Sequence, residues 1–154
     1  MKKWTKRIDI SAPMEKVWNL FDGELEDMQK IMPQVIDHQP ISITDERTGS
    51  VYLQKYKEGK RVEEYEVETL EYVDRTDAKK LKIGFTLAGM FEVTACYELE
   101  KIRDGSTTLI YTVTNRPLKW FAKVFLLFAT DKVVDDFMVR VKTVAELENN
   151  KAAL

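Results

Sequence analysis

The alternation of apolar and polar residues divides the chain into a strand with two short helices, a long run of strands, and one long helix. Trp4, Lys6, Ile8 and Ile10 alternate with Thr5, Arg7 and Asp9, the period of two expected of a first strand. Ser11-Ala12-Pro13 then gives a helix start with Glu15 in its first turn. Met14, Val17, Trp18 and Phe21 recur at helical spacing until Asp22-Gly23 ends the helix. A second short helix is predicted over 24–31, with Leu25, Met28 and Met32 on one side and Pro33 as its stop. Strands follow at 35–44, 50–56, 62–72, 80–87, 91–102 and 107–115, punctuated by turn signals such as the hairpin dipeptide Asp104-Gly105. A run of hairpins of this kind makes one twisted antiparallel sheet.

Residues 117–147 have no Gly, and no Pro after Pro117, so a continuous helix is expected there, with Thr130-Asp131 as the place for a cap or a bend. Its second half carries a single stripe of Val133, Val134, Phe137, Met138, Val141, Val144 and Ala145, opposed by Asp135, Asp136, Arg140, Lys142 and Glu146. From Leu118 to Ala129 only Lys119 and Lys123 are charged, so that half is apolar nearly all round and needs cover on every side.

The strands sort their own faces. Glu64, Glu66 and Glu68 mark a wet face and turn Tyr65 and Val67 inward. Leu81, Ile83, Phe85 and Leu87 alternate with Lys82, Gly84 and Thr86. Phe91, Val93, Ala95, Tyr97 and Leu99 alternate with Glu92, Thr94, Cys96, Glu98 and Glu100, and Leu109, Tyr111 and Val113 oppose Thr108 and Thr112. A sheet that is apolar on one face and charged on the other is covered on one side only, and the C-terminal helix is the element long enough to cover it.

At 154 residues the chain is expected to form one domain, 1–154, with a core of its own. A hydrophobic fraction of 44% beside 32% charged residues excludes disorder and an integral membrane protein. Lys plus Arg is 24 against 26 for Asp plus Glu, so no basic surplus points to nucleic acid. The single cysteine, Cys96, leaves no internal disulfide and fits a reducing compartment. The basic opening MKKWTKRIDIS lacks the apolar run of a signal peptide, and no stretch approaches the ~20 apolar residues of a membrane span. A cytoplasmic protein is expected.

Order and residues together resemble a known group. The stretch IDISAPMEKVWNLFDGELEDMQKIMPQV is similar to the opening strand, first helix and Pro-ended second helix of the helix-grip fold, and DGSTTLIYTVTNRP is similar to its last strand. That fold is shared by lipid-transfer START domains, birch-pollen-type allergens and polyketide cyclases, the SRPBCC superfamily. The resemblance covers essentially the whole chain. It implies an α+β architecture in which about seven antiparallel strands curl around a long C-terminal helix and leave an apolar cavity for sterols, lipids, hormones or polyketides. Its pattern speaks for fold more than for activity. On this basis the cavity is expected between Tyr56, Tyr65, Val67, Phe85, Leu87, Val93, Tyr97 and Tyr111 of the sheet and Phe121, Phe125 and Phe128 of the helix. The tyrosines would orient a mostly apolar ligand through hydroxyls that want a partner when buried, or else be ordinary core residues.

Candidate chemistry is sparse. His38 is the only histidine and lacks a Cys or acidic cluster at ligand spacing, so no metal site is expected. Cys96 falls on the outer face with no histidine in register. Glu64, Glu66 and Glu68 lie on a solvated face where lysines of neighbouring strands can pair with them, while Glu63, of opposite parity, could reach the cavity rim. Asp131, Asp135 and Asp136 read as the wet side of the helix. No phosphate loop, nucleophile elbow or Cys pair is present, and no catalytic residue and no cofactor are expected.

The leading expectation is a carrier or sensor of a hydrophobic small molecule or lipid. A second is an enzyme of the polyketide cyclase or aromatase type, for which no polar constellation is found. A third is an interaction module whose face bearing Trp120, Val124 and Leu127 docks on a membrane surface or on a second copy.

Overall fold

The computed structural model describes residues 1–123 and 130–152. Its strands are β1 (Lys2–Ile10), β2 (Val35–Ser42), β3 (Val51–Glu58), β4 (Arg61–Asp74), β5 (Ala78–Leu87), β6 (Phe91–Arg103) and β7 (Ser106–Pro117). They form one seven-stranded sheet in the order β1-β7-β6-β5-β4-β3-β2, every neighbour antiparallel. Five consecutive hairpins build β2 to β7, and β1 returns to pair with β7, Lys2 opposite Asn115 and Ile10 opposite Thr107. A register shift between Thr69 and Glu71 interrupts the β4–β5 ladder and adds local twist and bend.

Helices α1 (Met14–Asp22) and α2 (Leu25–Ile31) carry the chain from one edge of the sheet to the other. The expected spacing is what they bury: Met14, Val17, Trp18, Leu20 and Phe21 from α1, Met28 and Ile31 from α2. The C-terminal helix, α3 (Lys132–Ala152), buries Val134, Met138, Val141 and Ala145. These meet Ile10, Tyr97, Leu99 and Leu109 of the sheet in one core.

Two expectations for the long helix are corrected. No α-helix starts at Pro117: β7 continues to that residue, which stands opposite Phe91, and the Leu118 N–H donates to the Met90 carbonyl at 2.7 Å. Cross-strand contacts therefore take Pro117 and Leu118, which the absence of Gly and internal Pro had assigned to a helix, and a 3₁₀ turn at Trp120–Ala122 follows. Nor is the helix continuous across Thr130-Asp131, since α3 begins only at Lys132. The Asp131 carbonyl accepts from the Asp135 N–H at 3.0 Å, and the Asp131 carboxylate turns to Lys6 of β1 at 2.9 Å. Val133, assigned to the buried stripe, is 75% exposed in this first turn. Beyond Leu147 the helix runs on to Ala152.

Polar ties hold the C-terminal half of α3 in place. Lys142 Nζ donates to the Asp9 carbonyl at 2.7 Å, the Glu146 carboxylate accepts from the Ser11 N–H at 2.7 Å, and Lys30 of α2 pairs with Glu148 at 2.9 Å.

Candidate functional site

Between the inner face of the sheet and α3 lies a cavity of about 660 Å³, within the range of small-molecule sites. The period of two that turned one side of each strand inward also makes its wall. Tyr56 and Gln54 come from β3, Tyr65 from β4, Ile83 and Phe85 from β5, Val93, Ala95 and Tyr97 from β6, Tyr111 and Val113 from β7, and Trp4 from β1. Val134, Phe137 and Arg140 of α3 face them, and Met32, Gln34 and Val35 close the end beneath α2.

Six of the residues assigned to a cavity from sequence thus stand around one space: Tyr56, Tyr65, Phe85, Val93, Tyr97 and Tyr111. Val67 faces a smaller neighbouring pocket of about 110 Å³, lined also by Phe21, His38, Arg47 and Tyr52. Leu87 and Phe121 line neither. Leu87 pairs with Phe91 at the tip of the β5–β6 hairpin, and Phe121 is 41% exposed with its ring edge-on to Trp120. Phe125 and Phe128 lie outside the described residues. Ile83, Ala95 and Val113 share the inward parity of the assigned residues and were legible by that signal. Phe137, assigned to packing, does both jobs: its ring contacts Phe21, Tyr97 and Tyr111 and also lines the cavity. Gln54 and Arg140 carried no sequence signal.

The polar groups on this wall are arranged by one another. Gln54, 8% exposed, donates from Nε2 to the Tyr65 hydroxyl at 3.0 Å, and its Oε1 is 2.8 Å from His38 Nδ1. With the amide oriented this way His38 donates from Nδ1, and the Tyr65 proton is free to point into the cavity. His38 stacks on Tyr52 at 4.5 Å, and burial holds its imidazole below the ordinary histidine value despite the Gln54 bond. Deeper in, the Tyr97 and Tyr111 rings lie 5.1 Å apart, and their phenols act on each other. Burial pushes Tyr111 up to about 12 and raises Tyr97 well above its ordinary value, and it raises Tyr65 and Tyr56 as well, Arg140 partly opposing it at Tyr56. All four phenols are therefore protonated at neutral pH, suited to hydrogen bonding rather than to proton abstraction.

The other titratable candidates are engaged elsewhere. Asp136, at the rim, is bound to Lys132 at 2.7 Å. Asp22, beside the smaller pocket, accepts from Arg47 at 2.8 Å and from the Tyr72 hydroxyl at 2.7 Å. Glu63 does not line the cavity and pairs with Arg61 at 2.5 Å. Glu64, Glu66 and Glu68 are exposed, with Lys55 3.9 Å from Glu64. Cys96 is buried among Lys80, Glu98, Glu71 and Lys82, and burial pushes its thiol up. Among the described residues no group of three or more His, Cys, Asp or Glu could hold a metal ion, and no helix is long and apolar enough to cross a membrane.

Residues 1–146 match the family described as polyketide cyclase / dehydrase and lipid transport. A comparison with curated proteins finds no match. Solved structures with the same fold include major latex-like protein 151 of Panax ginseng, with a TM-score of 0.67, 14% identity, and 96% of this chain and 97% of that one covered. Norcoclaurine synthase of Thalictrum flavum, in complex with dopamine and hydroxybenzaldehyde, superposes with a TM-score of 0.62 and 12% identity over 93% of this chain and 85% of that one. The di-domain ARO/CYC protein BexL of the BE-7585A biosynthetic pathway gives a TM-score of 0.70 at 12% identity, over 93% of this chain and 46% of that longer one. At these identities the likeness is one of fold.

Proposed function

The chain belongs to the polyketide cyclase / dehydrase and lipid transport family, and from that premise we propose that it is a binding protein, a carrier or sensor that holds a hydrophobic small molecule or lipid between the sheet and α3. The observation that carries this reading is the cavity of about 660 Å³, walled by aromatic and aliphatic side chains with protonated tyrosine hydroxyls among them. Burial of apolar ligand surface there would drive binding at about 25 cal/mol per Å², and the hydroxyls would fix its orientation. A cyclase would need a group able to give or take a proton near neutral pH. The four tyrosines are pushed away from neutrality, and His38 stands behind Gln54, outside the cavity lining. Titration with an uncharged solvatochromic dye should give saturable binding that fatty acids or sterol-like compounds displace. Absence of saturable binding of the dye and of every compound in such a panel would overturn the carrier reading.

A second reading is favoured by Trp120, which is 82% exposed beside exposed Leu118 and Phe121. Lys119 and Lys123 flank this apolar patch, the combination suited to an anionic membrane surface. Val124 and Leu127, assigned to the same face, lie outside the described residues. Trp120→Ser should reduce co-sedimentation with phosphatidylserine-containing vesicles several-fold. Unchanged sedimentation, or a mass that rises with concentration in place of vesicle binding, would remove the membrane reading, the second outcome in favour of a dimer.

A further inference from the structure

One corner of the cavity mouth is polar, and its exposed cation is in no ion pair among the described residues. Arg140, on the cavity side of α3, gives a single hydrogen bond, from Nη1 to the Ile31 carbonyl at the end of α2 (3.2 Å). It makes no ion pair among the described residues. The nearest carboxylate on its own helix and in the lining, Asp136 one turn earlier, is taken by Lys132. Two further polar side chains meet it at this rim. Tyr56 stands opposite Val35 in the β2–β3 ladder, and the neighbouring Gln34 is fixed by a bond from the Lys57 N–H to its carbonyl at 2.8 Å. The Gln34 side-chain amide makes no hydrogen bond among the described residues, and both residues line the cavity. Glu58, the acidic residue that acts on the Tyr56 hydroxyl, is exposed at the end of β3 and pairs with no cation among the described residues.

A guanidinium is a planar fork matched to a carboxylate, which it binds through two parallel N–H···O bonds. With one donor given to Ile31, the remaining N–H groups are available to a ligand at the mouth, next to an amide and a phenol that can donate to the same anion. Apart from Gln54, Thr130 and Asp136, the rest of the lining is apolar or aromatic. We propose that the ligand is an amphipathic carboxylate, its apolar body in the cavity and its carboxylate at the rim on Arg140, Gln34 and Tyr56. This rests on the carrier reading and narrows it from hydrophobic molecules in general to those with one anionic end.

The test compares dodecanoic acid with dodecanol, two ligands of one chain length that differ in the head group, as displacers of an uncharged dye at low ionic strength. The native protein should bind the acid about tenfold or more tightly than the alcohol, as charge-assisted hydrogen bonds imply. Arg140→Gln should bring the acid to the affinity of the alcohol, and Arg140→Lys should keep part of the preference. Arg103→Gln, an exposed cation at the far end of β6, should keep all of it. Equal affinity for acid and alcohol in the native protein, or a preference that survives Arg140→Gln, would overturn the inference while leaving the carrier reading in place. Bound dye that neither compound displaces would do the same. Failure of the dye and of both compounds to bind would overturn both.

Discussion

At the scale of single residues, one hydrogen-bonded amide organises the polar side of the cavity. Gln54 is nearly buried between His38 and Tyr65, so a change at His38, a half-buried strand residue without a catalytic role in this reading, still reaches the ligand wall. Removing the imidazole leaves Gln54 Oε1 without its partner, a loss of about 1–3 kcal/mol for a buried acceptor. The imidazole also predicts a pH response. Burial lowers its folded-state value below 6.5, so in the window just under that pH the unfolded chain binds more protons than the folded one. Stability should then rise with pH through this window and fall as the solution is acidified below about 6.5. Because His38 is the only histidine, its titration can be followed by NMR without assignment. A midpoint at or above the ordinary value would contradict the burial argument, as would a His38→Gln variant that kept the same pH slope of its melting temperature.

At the scale of elements, the passage from α1 to α2 depends on a glycine for reasons of space. Gly23 has an ordinary φ of −88° and donates its N–H to the Asn19 carbonyl at 3.0 Å. A Cβ on it would lie 2.3 Å from that carbonyl oxygen and 2.9 Å from Asp27 Oδ2. The first of these is backbone and cannot swing aside, so Gly23→Ala must displace the end of α1. Overpacking of this kind costs about 1–3 kcal/mol, and calorimetry should show a melting temperature lower by several degrees. A variant as stable as the parent would mean that the two helices separate freely at this joint. The start of α3 is fixed from a distance in the same way. Lys6 of β1 meets Asp131 at 2.9 Å and Asp135 at 3.4 Å, one carboxylate just ahead of the helix and one in its first turn, where a helix favours negative charge.

At the scale of the molecule, core and cavity share a wall, and Phe137 is where they meet. Its ring lies 5.0 Å from Tyr111, 6.1 Å from Tyr97 and 6.4 Å from Phe21, and its remaining surface faces the cavity. Truncation of a fully packed Phe to Ala costs about 3–5 kcal/mol. Phe137 has already given up part of its contacts to the cavity, so Phe137→Ala should fall at or below the lower end, about 3 kcal/mol. The same change should weaken dye binding several-fold, because it removes a ring from the ligand wall. Melting and titration of this one variant separate the two roles. A large loss of stability with unchanged binding would make Phe137 plain core and would move the ligand wall elsewhere.

Local patterning was enough for the seven strands, the two short helices and their order, for the strand limits to within two residues, and for the face each strand turns inward. The period of side chains along a strand is a local property, and Glu64, Glu66 and Glu68 alternating with Tyr65 and Val67 need no tertiary information to be sorted. Much of the site was legible for the same reason, since its sheet wall is the inward face. What parity cannot give is depth along the strand. Leu87 has the right face but sits at a hairpin tip, and Val67 opens onto the smaller pocket. Lys79, one residue before the strand expected at 80–87, lies on the face of Leu81 and is buried. Only the tertiary structure supplies the Asp74 and Glu15 carboxylates and the Trp18 ring that accompany its ammonium, which is 5% exposed. The long helix was decided by competition between elements. The lack of Gly and internal Pro after Pro117 allows a helix locally, but Pro117 and Leu118 are taken by contacts with Phe91 and Met90, more than twenty residues earlier in the chain. Arg140 was assigned to the polar side of its helix because a charge is ordinarily solvated. It is exposed there, and the chain path of α2 and β2, remote in sequence, also brings it to the cavity lining.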